Sequence, residues 1–302
     1  MSLLIRDLLQ MAEQRFELEG CSDPKLDAEL LLCYYLQKDR SYLFLHYGDE
    51  MEDRHCQGFL ELCDRRASGV PLQYITGVQE FMGLEFKVNE SVLIPRQDTE
   101  LLVESALEEL VNRKAPLGGF EILDLCTGSG AVGISLYKQA ERFRIKTKIT
   151  ASDISKEALS VARENAGRNG AEKLCFVQGD LFEPFPKDRK GRGKKRFDLI
   201  VSNPPYIPSA VIPTLQREVK DHEPVLALDG GTQGLDFYSR ILPESRAYLK
   251  PGGALLLEIG HNQGEALISM AGEDEFWQPA EIRRDLNGKD RVCILRPVQE
   301  KF

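Results

Sequence analysis

Between Glu121 and Ile259, short apolar runs alternate with longer stretches of helical periodicity, and no other feature of the chain narrows its fold as much. A strand that is followed by a helix before the next strand pairs in parallel, because the crossover carries the chain back to its starting edge. A parallel sheet must then be covered on both faces, so its strands read as nearly continuous apolar segments. Glu121–Cys126, Lys148–Asp153, Leu174–Gly179, Phe197–Ser202 and Ala254–Ile259 predict five such strands. Two more are predicted near Ala280–Asp285 and at Arg291–Leu295. Only the turn Leu286–Asp290 separates them, too short for a crossover helix, so they pair antiparallel. The expectation is an α/β, Rossmann-like domain whose seven-stranded sheet ends in an antiparallel hairpin.

The chain before this region has a different period. Apolar residues recur at helical spacing from Ser2 to about Ser68, as in Leu4, Leu8 and Met11 and again in Leu26, Leu30 and Tyr34, which predicts helix throughout. Ser22 or Asp23 is placed to cap the second helix, with Pro24 as its first residue, where a missing N–H costs nothing. A third helix is predicted over Glu52–Ala67. From Val70 to Pro95 the runs shorten and are broken by Gly77, Gly83 and Asn89, which predicts a hairpin. Asp98 or Thr99 then caps a helix over Glu100–Arg113. Three parts are expected: a helical domain over 1–70, a hairpin linker over 71–96 and the α/β domain over 97–302. A hydrophobic content of 42% over 302 residues is enough to give both domains a core.

Charge and composition exclude several functions. A net charge of -9 argues against a surface built to grip phosphate backbones, so no stable nucleic-acid partner is expected. The exception is Lys187–Arg196, with seven basic residues and one acid, which reads first as a solvated loop and otherwise as a docking element for an acidic or ribosomal partner. No apolar run approaches the roughly 18 residues of a membrane span, and Met1–Gly20 carries acids throughout, which predicts a cytoplasmic protein away from membranes. The seven cysteines form no CxxC pair and the four histidines, 46, 55, 222 and 261, show no ligand spacing, so no metal is expected. Nothing requires a dimer, and a monomer is expected.

The residues that carry chemistry stand at successive strand ends. Glu121–Gly130 runs a buried strand into a glycine-rich turn, with Gly128 and Gly130 removing side chains where a ligand must approach the backbone. Asp153 closes the second strand, where an acid accepts hydrogen bonds from ribose hydroxyls, unless it serves as the cap of the helix that follows. Asp180, after the third strand, is placed to hydrogen-bond an adenine amine while Leu181 or Phe182 covers a ring face. Asn203-Pro204-Pro205-Tyr206 ends the fourth strand. Its prolines fix φ and remove donors, so the loop is built to accept hydrogen bonds. The Asn203 side-chain oxygen and the Pro204 carbonyl would accept both N–H bonds of a planar NH₂ group, while Tyr206 offers an aromatic face. An amide or aromatic amine nitrogen is a poor nucleophile, and such positioning beside a methyl sulfonium would help it react. These residues leave three readings open: methylation of an amide, N6-methylation of adenine in DNA or RNA, and NAD-dependent oxidoreduction. The last rests on Gly128-Ser129-Gly130-Ala131-Val132-Gly133, which also spells the dinucleotide fingerprint.

Several blocks together resemble the peptide-chain release factor N(5)-glutamine methyltransferases of the PrmC/HemK family. They are Leu26–Leu32, Pro71–Gly77, Leu93-Ile-Pro-Arg-Gln-Asp-Thr-Glu100, the glycine loop, Asn203–Ile207, Glu223-Pro224, Gly234-Leu235 and Glu258-Ile-Gly260, spread over nearly the whole chain. The resemblance implies a class I S-adenosylmethionine-dependent methyltransferase fold and transfer of a methyl group to the glutamine of a Gly-Gly-Gln motif in release factors. It further implies cofactor contacts from Cys126, Thr127, Gly128, Ser129, Gly130, Asp153, Asp180, Leu181 and Asn203, substrate contacts from Asn203, Pro204, Pro205 and Tyr206, and a helical domain that grips the release factor. Asn203, Pro204 and Tyr206 would be the catalytic group. Cys126, where glycine is common, and Leu181, where some relatives carry an aromatic residue, depart from the pattern.

Overall fold

A computed structural model describes residues 2–298. The outermost residues of the two expected domains, Met1 and 299–302, lie outside the described residues. The described chain forms two compact units. One runs to Val78 and includes Leu215–His222; the other takes Gln79–Thr214 and the chain from Glu223 onward.

The first unit is built on α1 (Ile5–Leu18), α2 (Pro24–Leu36), α3 (Arg40–Leu45), α4 (Asp53–Ala67) and α5 (Leu72–Thr76). Its core gathers Leu8, Phe16, Leu31, Leu32 and Phe59, all fully buried, from α1, α2 and α4. The expectation of helix throughout is corrected at one point: Leu3–Leu4 (β1) pairs antiparallel with Glu50–Met51 (β2). Helical period alone does not reveal so short a pairing, which depends on the fold bringing the two ends together. Asp23 stands at the N-cap of α2 but its side chain makes no capping bond. The distant segment 215–222 joins this unit through a buried cation: Arg66 bonds Asp27 at 2.7 Å and Glu218 at 2.9 Å. An Arg buried this deeply requires paired carboxylates to offset its desolvation.

In the second unit, β3 (Val78–Phe81) and β4 (Leu84–Lys87) form a hairpin that turns on Met82 and Gly83, both at positive φ. A 3-10 turn at Gln97–Thr99 leads into α6 (Glu100–Val111), and Thr99 occupies the N-cap without a side-chain capping bond. The sheet follows: β5 (Phe120–Leu125), α7 (Ala131–Arg142), β6 (Thr147–Asp153), α8 (Lys156–Arg168), β7 (Cys175–Gln178) and β8 (Phe197–Ser202). After α9 (Arg217–Lys220), which belongs to the first unit, come α10 (Val225–Leu228), α11 (Asp236–Ser245), β9 (Leu249–Glu258), α12 (Gly264–Gly272), β10 (Glu281–Arg284) and β11 (Asp290–Leu295).

The seven strands lie in the order β10-β11-β9-β8-β5-β6-β7, with β7, β6, β5, β8 and β9 parallel and β11 antiparallel to both of its neighbours. The expected sheet and its closing hairpin are both present. Alternate residues leave on opposite faces, as strand geometry demands. Ile122, Leu199, Val201, Ala254 and Leu256 join one core with α6 and α7, whereas Leu123, Ile200, Leu255, Leu257 and Cys293 join the other with α11 and α12.

This topology locates a ligand site. From β5 the chain first builds outward through β6 and β7, then returns to add β8 and β9 on the other side. The helices after β5 and β8 thus leave in opposite directions and open a crevice at the carboxyl ends of those strands. Register aligns the ends: Leu125 lies opposite Ser152 and Ser202, and Ser202 opposite Leu257. The next residues along these strands, Cys126, Asp153, Asn203 and Glu258, therefore emerge in one row at the crevice. The basic segment 187–196 precedes β8 and lies at the opposite, amino edge of the sheet. Asp188 organises its turn by accepting from the Lys190 and Arg192 amides at 2.8 and 2.9 Å.

Candidate active site

A cavity of about 390 Å³ opens at this crevice, lined by the 126–129 loop, Asp153, Asp180, Leu181, Asn203 and Pro205 among others. Apolar surface from Val132, Ile154, Ala158 and Phe237 faces it as well.

The glycine loop is held from two sides. Asp124, almost fully buried on β5, accepts from Thr127 Oγ1 at 2.6 Å and from the Gly133 amide at 3.0 Å. Burial raises the Asp124 carboxyl to about 7 despite these bonds. A Cβ at position 133 would stand 2.8 Å from Asp124 Oδ2, so the third glycine of the apparent dinucleotide fingerprint makes room for a carboxylate of its own chain. Asp153 Oδ2 accepts from the Gly128 amide at 2.9 Å and Oδ1 from the Ser155 amide at 2.9 Å, tying the first two loops together. Burial raises its pKa. Ser155, not Asp153, caps α8, its side chain accepting from the Ala158 amide at 3.0 Å. Cys126 adopts φ 56°, a left-handed conformation natural to glycine, and burial pushes its thiol up. Thr127 and Ser129 are buried and line the cavity, and Gly130 is the N-cap of α7.

On the third loop, Asp180 bonds Arg240 Nη2 of α11 at 2.6 Å, and both line the cavity. Leu181 lines it too, at φ 48°. Phe182 does not: its ring stacks on Tyr248 at 4.8 Å in the core, which corrects its assignment as a candidate ring cover. Leucine and phenylalanine at adjacent positions read alike in sequence, and only the turn decides which one the core takes.

The Asn203–Tyr206 loop divides its work. Asn203 and Pro205 line the cavity, whereas Pro204 is buried and Tyr206 packs against the core. The Tyr206 hydroxyl donates to Glu258 Oε1 at 3.3 Å, and burial, reinforced by the Glu258 charge, raises its pKa. Asn203 Nδ2 donates to Thr99 Oγ1 at 3.3 Å. Its Oδ1 makes no hydrogen bond among the described residues. Gln263 braces the loop from behind, donating from Nε2 to the carbonyls of Tyr206 and Gly234, each at 3.0 Å.

The block 93–100 forms the facing wall, and nearly each of its residues has a partner. Leu93, Pro95 and Thr99 line the cavity, Ile94 is in the core, Arg96 bonds Glu223 and Asp98 pairs with Arg291 at 3.0 Å. Glu100 accepts from the Met82 amide at 2.9 Å. Thr99, Asp124 and Glu258 are the contributors that motif reading does not isolate. Glu258 and Thr99 do lie inside quoted blocks, but their role depends on which strand ends become neighbours.

Models of two families match the chain: a PrmC N-terminal domain over residues 7–77 and a methyltransferase domain over residues 118–289. The release factor glutamine methyltransferase of Moorella thermoacetica is 42% identical over 294 residues, covering 97% of this chain and 98% of that protein. The chain belongs to the release factor glutamine methyltransferase family. Members from Geobacter sulfurreducens, 41% identical over 95% of each chain, and Bacillus subtilis, 40% identical over 89% of this chain and 90% of that one, match as broadly. Membership makes the second unit an S-adenosylmethionine-dependent methyltransferase and removes the grounds for a dehydrogenase or an adenine-directed enzyme. Among the described residues no helix is long and apolar enough to cross a membrane.

Proposed function

We propose that this protein transfers a methyl group from S-adenosylmethionine to the side-chain amide nitrogen of the glutamine in a release factor's Gly-Gly-Gln motif. The observation that carries this reading is the orientation of Asn203: with Nδ2 committed to Thr99, Oδ1 is left to accept an N–H from a planar amide. S-adenosylmethionine supplies a methyl group on a positively charged sulfur, which becomes a neutral thioether as the nitrogen takes the methyl and gives up one of its two protons. The cavity fits such a donor. It combines a carboxylate for ribose hydroxyls at Asp153, a polar pair at Asp180 and Arg240 beside an adenine, and apolar walls from Leu181, Ile154 and Phe237. Asp153 keeps lone pairs beyond the two it gives to backbone amides, so it serves the loop and the ribose at once. Cys126 to Gly130 would pass along the donor with their backbone, and Leu181 would cover one face of the base.

On the acceptor side, Asn203 Oδ1 and the Pro204 carbonyl hold the amide nitrogen toward the methyl group, and Pro205 keeps that backbone stiff. Tyr206, set back from the cavity, gives its ring to the loop's packing and its hydroxyl to Glu258. In this reading residues 1–70 form the substrate-recognition domain, 71–96 a hairpin linker and 97–302 the catalytic domain. The protein acts as a cytoplasmic monomer with no membrane or stable nucleic-acid partner.

The deciding experiment incubates the protein with methyl-labelled S-adenosylmethionine and a release factor, either intact or with its motif glutamine replaced. Label is expected in the intact factor alone; label in both would sink the assignment. Asp153→Asn is expected to weaken S-adenosylmethionine binding about 10- to 100-fold by calorimetry, the worth of hydrogen bonds to a charged acceptor. Unchanged affinity would remove Asp153 from the donor site.

A further inference from the structure

We propose that Arg240 is a positioning residue for the methyl donor: by holding one oxygen of Asp180 it aims the other at the base, and so makes the cavity select adenine over purines with an exocyclic oxygen. This role rests on the S-adenosylmethionine-dependent reading above and gives it a residue that no motif in the sequence marks.

Strand order gives the cavity a direction. Asn203, the glycine loop, Asp153 and Asp180 follow β8, β5, β6 and β7, which are neighbours in that order. A donor whose sulfonium lies near Asn203 and whose ribose meets Asp153 therefore brings its base to Asp180. There the choice of purine is made by hydrogen-bond direction, because a carboxylate only accepts. The exocyclic amine of adenine donates, whereas the exocyclic oxygen of hypoxanthine accepts.

Arg240 comes from α11, which precedes β9 on the far side of β8, yet its Nη2 donates to Asp180 Oδ2 at 2.6 Å. Both partners stand on packed backbone: Leu181 and Phe182 beside Asp180, and Tyr238, Ile241 and Leu242 around Arg240, are buried in one core. Phe237, three residues before Arg240 and so on the same face of α11, lines the cavity with it. Asp180 Oδ1 makes no hydrogen bond among the described residues. With Oδ2 taken by the guanidinium, Oδ1 is the oxygen left for the base.

The side chains of Arg240 and Asp180 are 45% and 35% exposed. Ion pairs this open contribute little to stability, since water screens them and ordering two side chains costs entropy. What the pair supplies is orientation. Without its cation the carboxylate would turn about its last torsion and hydrate freely, and the base would have to order it on binding. Held by Arg240, it already presents an acceptor, and an exocyclic oxygen would meet it acceptor against acceptor.

The test is calorimetric titration with S-adenosylhomocysteine and with S-inosylhomocysteine, which differ only in the base. Wild type should prefer the adenosyl compound by about 100-fold, because the inosyl compound leaves a charged acceptor unanswered. Arg240→Met and Arg240→Gln remove the charge in two ways, and each should cut that preference about tenfold. Arg240→Lys, which restores a cation, should keep most of the preference, and Asp180→Ala should abolish it. Melting temperature reports whether each variant is folded; if Arg240→Met is not, Arg240→Gln carries the test. A wild type without preference, a preference undiminished in the Arg240 variants, or a loss that falls equally on both compounds would overturn the positioning role. Failure of the wild type to bind S-adenosylhomocysteine at all would instead overturn the donor reading on which it rests.

Discussion

Replacing Asn203 with alanine should lower kcat by about 10²- to 10³-fold while leaving S-adenosylmethionine affinity within a few fold, the loss typical of removing one preorganised hydrogen-bonding group from a reacting centre. The amide nitrogen is weakly nucleophilic because its lone pair is shared with the carbonyl, so rate depends on holding it in line. Oδ1 is the only acceptor that the Asn203 side chain can offer, and the Thr99 bond aims it. Alanine keeps the backbone of the loop, including the carbonyl of Pro204 and the Gln263 bond to Tyr206 O at 3.0 Å, so the donor pocket should survive. Single-turnover methylation beside calorimetric titration of S-adenosylmethionine separates the two effects. Turnover within twofold of wild type would show that Asn203 does not hold the substrate. An equal loss in both measurements would make it a donor ligand instead.

Gly234→Ala is expected to disrupt both stability and turnover although it adds a single methyl group outside the cavity wall. Gly234 has φ +72°, and an added Cβ would lie 2.2 Å from the carbonyl oxygen of Tyr206 and 2.8 Å from Gln263 Nε2. The left-handed conformation alone costs a non-glycine residue about 1–2 kcal/mol, and overpacking adds about 1–3 kcal/mol. Neither neighbour can withdraw cheaply. The first is backbone of the Asn203–Tyr206 loop, and the second is anchored at its other end, where Gln263 Oε1 accepts from the Gly260 amide at 2.8 Å. A fall in melting temperature of roughly 5–15 °C is expected from these costs, with a parallel loss of kcat because relief can come only by moving the loop. A variant that melts and turns over like wild type would mean that the loop is softer than its packing implies.

Both predictions concern the same loop, yet they differ in how visible their grounds are in the chain. Asn203 announces itself through two prolines at a strand end. Gly234 does not, since nothing near it in sequence indicates that Tyr206 passes overhead. The same holds for Gly133, which completes an apparent dinucleotide fingerprint but exists to admit the Asp124 carboxylate. Phe182 was a candidate for the cavity because it follows Leu181, and the core claims it because Tyr248 offers a flat partner. In the helical unit, the pairing of Leu3–Leu4 with Glu50–Met51 escaped the helical period because each strand is two residues long.

What the chain declares locally is therefore its periodicity and its chemistry: alternating strands and helices, acids at the ends of β6 and β7, a donor-poor loop after β8, and family blocks spaced along its length. These are legible because period, turn residues and proline stiffness act over a few residues. The tertiary structure decided the rest. Asn203 and Glu258, more than fifty residues apart, end neighbouring strands only because β8 and β9 pair in one register, and Thr99, more than a hundred residues before Asn203, meets its Nδ2 only in the folded chain. Which oxygen of which amide faces the cavity follows from that adjacency, because the direction of a hydrogen bond depends on partners that sequence separation hides.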